Sequence, residues 1–150
     1  MAALILALLE KHDNSFQVKA CLEDCGLHVF VVDTFRKALD LLSVQKIDLI
    51  ISDVHLENGG NVFDFLRVVK KGQRTCEIPF VLFSLQPTAM AKYLADGLRT
   101  TARHLGAVKY IEMETFDGVQ FQEDINGLLS QGNQTADTGD KDLELQEIGE

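Results

Sequence analysis

The sequence predicts an α/β domain: a doubly wound parallel sheet of five strands with helices packed on both faces. Two observations carry this. Five short apolar runs alternate with helical patterns from one end of the chain to the other, the signature of successive βα units. The runs at 47–51 and 78–83 are apolar at nearly every position, Asp48 excepted, rather than alternating, as parallel strands buried on both faces are. A length of 150 residues with 46% apolar and 25% charged residues fits one domain able to bury a core without disulfides or metal.

Taken in order, the first run covers residues 3–9 (ALILALL). Its apolar stretch is similar to a short signal-peptide core, but it lacks a basic leader and a cleavage-type site and is too short to span a bilayer. A buried strand is therefore expected. A helix follows over about 14–25 and stops at Gly26, a good residue for the left-handed turn that ends helices. His28-Val-Phe-Val-Val32 is β-branched and aromatic and reads as the second strand. Asp33 and Thr34 offer N-caps to a helix with Phe35, Ala38, Leu41 and Leu42 on one face.

The third run, 47–51, ends in Ser52-Asp53, and a loop containing Asn58-Gly-Gly-Asn61 leads into a helix over about 62–71. The fourth run ends at Ser84. The next helix, about 87–104, carries Met90, Tyr93, Leu94 and Leu98 at helical spacing; such a stripe normally buries, so these are expected in the core. Gly97 weakens this helix locally, and Gly106 closes it. The fifth run is 107–111 and the last helix about 116–129.

The net charge is −9, with 14 Lys and Arg against 23 Asp and Glu. This argues against general nucleic-acid binding, which depends on cations that neutralise phosphates. Residues 131–150 hold six acids and one base, net −5, so residues 1–130 carry only −4. The expected division is a domain over 1–130 and an acidic, mobile tail over 131–150 that could include a short helix near 143–148. Cys21, Cys25 and Cys76 are an odd number without zinc-type spacing and read as reduced thiols of a cytosolic protein. His12, His28 and His104 read as surface residues. No membrane partner is expected.

In open parallel sheets ligands bind at the carboxyl ends of the strands. That rule selects Glu10, Asp53, Ser84 and the residues after Ile111. With Asp53 closing the third run, the segment IDLIISDV (47–54) resembles the phosphoacceptor strand of response-regulator receiver domains. LEDCG (22–26), IPFVLFS (78–84) and GAVKY (106–110) resemble other receiver segments in the same order. The resemblance covers about residues 3–130. It implies the flavodoxin-like (βα)5 sandwich with strand order 2-1-3-4-5.

By this resemblance Asp53 is the phosphoacceptor and a ligand of Mg2+, with Glu10 and the His55 backbone carbonyl as the other protein ligands. Ser84 is the switch hydroxyl and Tyr110 the switch aromatic. The chemistry is consistent: a carboxylate that accepts a phosphoryl group needs a cation to offset oxygen charge and donors for the oxygens. The departures are equally specific. Leu9 and Glu10 stand where receivers have two adjacent acids, with Asp13 a further acid if the loop is shifted. Met113 and Glu114 stand where a lysine and a proline are expected. Lys109, four residues earlier and within the strand, is no assured replacement. A carboxylate at Glu112 or Glu114 would repel a phosphoryl group if directed inward.

The expectation is a stand-alone, cytoplasmic, non-enzymatic receiver of two-component signalling, with no output domain on this chain. It would act as a protein-interaction module toward a histidine kinase or downstream effector, with impaired or absent phosphorylation. The alternative is a working phosphoacceptor at Asp53 with Mg2+. A cobalamin site is a remote alternative, because Asp53-Val-His55-Leu-Glu-Asn-Gly59 nearly matches a D-x-H-x-x-G loop with the glycine one residue late. Flavin binding is equally remote, since Glu10-Lys-His-Asp-Asn14 lacks a small, hydroxyl-rich phosphate loop.

Overall fold

A computed structural model describes residues 3–54 and 61–138, with side chains through residue 130. Five parallel strands form one sheet in the order β2-β1-β3-β4-β5. They are β1 (Leu4–Leu8), β2 (His28–Val32), β3 (Leu49–Asp53), β4 (Phe80–Leu85) and β5 (Lys109–Met113), and the helices are α1 (His12–Asp24), α2 (Phe35–Val44), α3 (Val62–Lys71), α4 (Ala89–His104) and α5 (Gly118–Thr138). This is the doubly wound order expected from the sequence. The chain divides into a unit over Met1–Gly118, which holds the whole sheet and α1–α4, and a second over Val119–Glu150. In the second unit α5 continues to Thr138, nine residues past the expected end. The rest of the acidic tail lies outside the described residues.

Alternation along the strands splits the first unit's core into two layers. Leu6 and Leu8 of β1, Ile50 of β3 and Phe80 and Leu82 of β4 face one layer with Ala38 and Leu42 of α2, Phe65, Leu66 and Val69 of α3, and Ala102 of α4. Phe65 centres it, meeting Phe35 and Phe80 edge-on at 4.9 and 5.5 Å between ring centroids, the arrangement that ring quadrupoles favour. The intervening strand residues Ile5, Ala7 and Ile51 are fully buried on the opposite face. Val18 and Leu22 are the apolar buried residues of α1.

Local chemistry sets the helix ends. The Thr34 hydroxyl accepts the Lys37 N–H at 3.1 Å and the Thr88 hydroxyl accepts that of Ala91 at 3.1 Å, so α2 and α4 are capped. Gly26 and Gly106 end α1 and α4 at φ +89° and +109°, a region that penalises any Cβ.

The core assignment on α4 is corrected. Met90 is 65%, Tyr93 84% and Leu94 45% exposed, whereas Ala91, Ala95 and Ala102 are buried and Leu98 packs partly against the core. The buried stripe is thus 91–95–98–102, and its alanines let the helix lie close to the sheet. Gly97 belongs to the other stripe, and a Cβ there would meet nothing within 4 Å. Gly97→Ala is expected to stabilise the protein by about 0.5–1 kcal/mol, read as a higher urea midpoint with unchanged slope; a lower midpoint would contradict the packing described.

Candidate functional site

Parallel strands place all their carboxyl ends on one edge, and the register brings the selected residues together there. Asp53 pairs with Phe83, and Ser84 pairs with Glu112. Leu8 pairs with Ser52, which sets Glu10 beside the end of β3. The Glu10 N–H donates to Asp53 Oδ2 at 2.9 Å. Glu10, Asp53, Phe83 and Ser84 line a cleft of about 390 Å3 together with Lys11, Asn14, Thr88, Met90 and Leu94.

Asp53 is partly buried and forms no ion pair among the described residues. Its pKa is pushed up to about 6, mainly by burial. The Glu10 N–H and the Lys11 charge oppose the rise, while the Glu10 charge adds to it. An unpaired carboxylate leaving water is destabilised in its charged form. Ser84 is 6% exposed.

Other expected positions fall out differently. Asp13 is in the first turn of α1 and lines a neighbouring cleft with His12, Gln17 and Thr115 rather than the Asp53 cleft. Lys109 opens β5, paired with Val81, at the opposite edge of the sheet. Glu112 and Glu114 turn toward α4: Glu112 Oε1 meets Arg99 at 3.1 Å, and Glu114 pairs with Lys92. Met113 is on β5 and its sulfur accepts the Asp117 N–H at 3.5 Å. His55 lies outside the described residues, as does the near-match to a cobalamin loop.

Tyr110 is partly buried against the core with Arg99 4.9 Å over its ring. Burial and the Glu112 charge raise its pKa, with Arg99 opposing. The Arg99–Tyr110–Glu112 set was not read from the sequence, since a helix residue eleven positions upstream carries no local signal of reaching a strand. Gln86 was missed as well. It holds φ +54°, lines the cleft and donates its N–H to the Met113 carbonyl at 2.7 Å, tying β4 to the end of β5. A left-handed non-glycine residue costs of order 1 kcal/mol or more, and such strain concentrates at functional sites.

No group of three His, Cys, Asp or Glu among the described residues forms a metal cluster. Among the described residues, Glu10 and Asp53 are the two carboxylates lining the cleft. That set fits weak Mg2+ binding, because Mg2+ keeps several waters and is commonly held by one or two carboxylates. A cation there would also relieve the charge cost that raises the Asp53 pKa. No helix among the described residues is long and apolar enough to cross a membrane.

No family model matches the sequence, and no curated protein matches it. Solved structures do match in fold. The chemotaxis response regulator CheY4 of Vibrio cholerae is similar with TM-score 0.72 and 20% identity, over 85% of this chain and 99% of that one. The signal receiver domain of a histidine kinase from Syntrophus aciditrophicus gives TM-score 0.72 and 22% identity, over 96% and 98%. The receiver domain of a sensor histidine kinase from Pseudomonas aeruginosa, solved with a magnesium ion in its active-site cleft, gives 0.71 and 19%, over 87% and 99%. With the strand order and the acidic cleft in place, this chain has the fold of the response-regulator receiver domains of two-component signalling.

Proposed function

We propose that this chain is an atypical cytoplasmic receiver that signals by protein contact, with phosphorylation of Asp53 impaired. The observation that carries the reading is the shortage of positive charge around Asp53, which forms no ion pair among the described residues while Met113 ends β5 at the same edge of the sheet. An acceptor carboxylate must meet an approaching phosphoryl group in its ionised form with positive charge at hand. Here burial and the Glu10 charge oppose ionisation, the Glu10 N–H and the Lys11 charge offset them only in part, and Met113 brings no charge from β5. Mg2+ held by Glu10 and Asp53 would supply part of the missing charge.

Contact with a partner signalling protein, a histidine kinase or an effector, is assigned to the outer face of α4. Met90, Tyr93 and Leu94 stand exposed there, and exposed aromatic and Met side chains are the residue types enriched in interface cores. The ion pairs of Lys92 and Arg99 link the same helix to Glu114 and Glu112 at the end of β5. The second reading, an efficient acceptor at Asp53, is favoured by the buried Ser84 hydroxyl lining the same cleft.

Binding of a captured partner distinguishes them. On the interaction reading, Tyr93→Glu with Met90→Glu weakens partner binding at least tenfold, measured by interferometry, and Asp53→Asn leaves it within twofold. Loss of binding in Asp53→Asn with retention in the α4 variant would contradict that reading.

A further inference from the structure

Lysine and arginine side chains flank the carboxyl edge of the sheet, and those on α4 are already taken. Lys92 is paired with Glu114, and Arg99 is divided between Glu112 and Asp96. Lys11 is different. It stands at the junction between β1 and α1 as the N-cap residue of α1, making no side-chain capping bond. It forms no ion pair among the described residues. It lines the same cleft as Glu10, Asp53, Ser84 and Thr88, and its charge favours the ionised Asp53.

A second observation also points to a ligand. Ser84 is 6% exposed and lines the cleft, yet its hydroxyl has no hydrogen-bond partner among the described residues. A buried hydroxyl without a partner is costly and is accounted for when a ligand or water oxygen meets it. A cation and an unsatisfied donor lining one cleft match an oxyanion, since a lysine ammonium binds phosphate oxygens as a mobile point charge.

We propose that Lys11 is the oxyanion-binding cation of this cleft, giving from the start of α1 the positive charge that Met113 does not give from β5. The ligand class is a phosphoryl-type group at Asp53, with the Ser84 hydroxyl donating to one of its oxygens and Lys11 to another. This rests on the reading of the cleft as a receiver-type acceptor site. Because Lys11 is exposed and forms no ion pair with Asp53, its compensation is partial, in keeping with impaired rather than absent reactivity.

The test uses the full chain with beryllofluoride, an analogue of the phosphoryl group, plus Mg2+, followed by thermal shift and by 19F NMR. Wild type is expected to show a saturable, Mg2+-dependent response. Lys11→Met is expected to weaken it at least tenfold, Lys11→Arg to stay within about threefold, and Lys11→Met with Met113→Lys to regain the lost affinity. An exposed lysine tolerates these changes, and an unaltered urea midpoint verifies that the variants fold. Lys11→Met binding within twofold of wild type overturns the assignment. A silent wild type also overturns it while leaving the interaction reading intact. A response that survives in Asp53→Asn rejects the acceptor-site reading and the Lys11 assignment together.

Discussion

Asp53→Asn is expected to make the protein more stable at pH 8 by about 2–3 kcal/mol, and to make almost no difference near pH 4. The carboxyl pKa rises from 3.8 to about 6 on folding, so the folded chain holds this proton more tightly than the unfolded chain. The associated stability is fully present below the unfolded value and is lost as pH rises through about 6. Each tenfold gain in proton affinity on folding corresponds to about 1.4 kcal/mol, which sets the size of the effect. Asparagine keeps the side-chain shape, and its carbonyl oxygen can accept the Glu10 N–H in place of Asp53 Oδ2, but it never has to carry charge into the cleft. Urea unfolding of both proteins at the two pH values, in chelator, measures the difference. Added Mg2+ should narrow the gap at pH 8, because the cation favours the ionised wild type. An equal difference at both pH values, or a destabilised variant at pH 8, would mean that Asp53 is already compensated.

Met113→Lys is expected to raise the rate of phosphorylation by a small-molecule donor at least tenfold. Asp53 is level with Phe83 and Phe83 with Ile111, so Met113 stands two residues further along, at the edge that the cleft occupies. A lysine there brings a mobile charge within reach of the acceptor. About 1.4–2 kcal/mol of favourable interaction at a partly solvated site corresponds to roughly ten- to thirtyfold in rate. Met113 is itself partly exposed, so the longer polar side chain needs no burial. The rate is read by intact-protein mass over time. An unchanged rate would place the deficit elsewhere, most directly in the single acid at Glu10 where receivers have two.

The order and type of the elements were legible because each strand lies on a short apolar run between helical patterns, most fully in the buried central strands β1, β3 and β4. Their ends were less legible. Ile47 belongs to the apolar run but lies before β3, buried without pairing, while Ser52 and Asp53 pair in the ladder. Burial follows the side chain and pairing follows the backbone, so an apolar run and a strand are displaced from one another by a residue or two. The same displacement moves β4 through Leu85 and β5 through Met113. On α4 the periodicity was real but chose the wrong stripe. Met90, Tyr93 and Leu94 outweigh alanine in hydrophobicity, yet close approach to the sheet selects Ala91, Ala95 and Ala102 for the buried side.

The site was legible where it depends on strand ends. Glu10, Asp53 and Ser84 meet in one cleft because the topology leaves them no other place. The acid at Asp13 was indistinguishable by sequence from a cleft acid, and α1 begins early enough to carry it to the neighbouring hollow. Glu112 and Glu114 could be seen as charges but not as charges already taken up by Arg99 and Lys92. Side-chain pairing between a helix and a strand follows from packing, and no spacing rule along the chain reports it.

The most direct measurement is phosphorylation of the purified chain by acetyl phosphate or phosphoramidate with Mg2+, read by intact mass. The unmodified chain is expected still to predominate after an hour at millimolar donor, with any minor phosphorylated fraction absent in Asp53→Asn. Full conversion to a singly phosphorylated chain within minutes, abolished by the same substitution, would contradict impaired reactivity and make Asp53 an efficient acceptor.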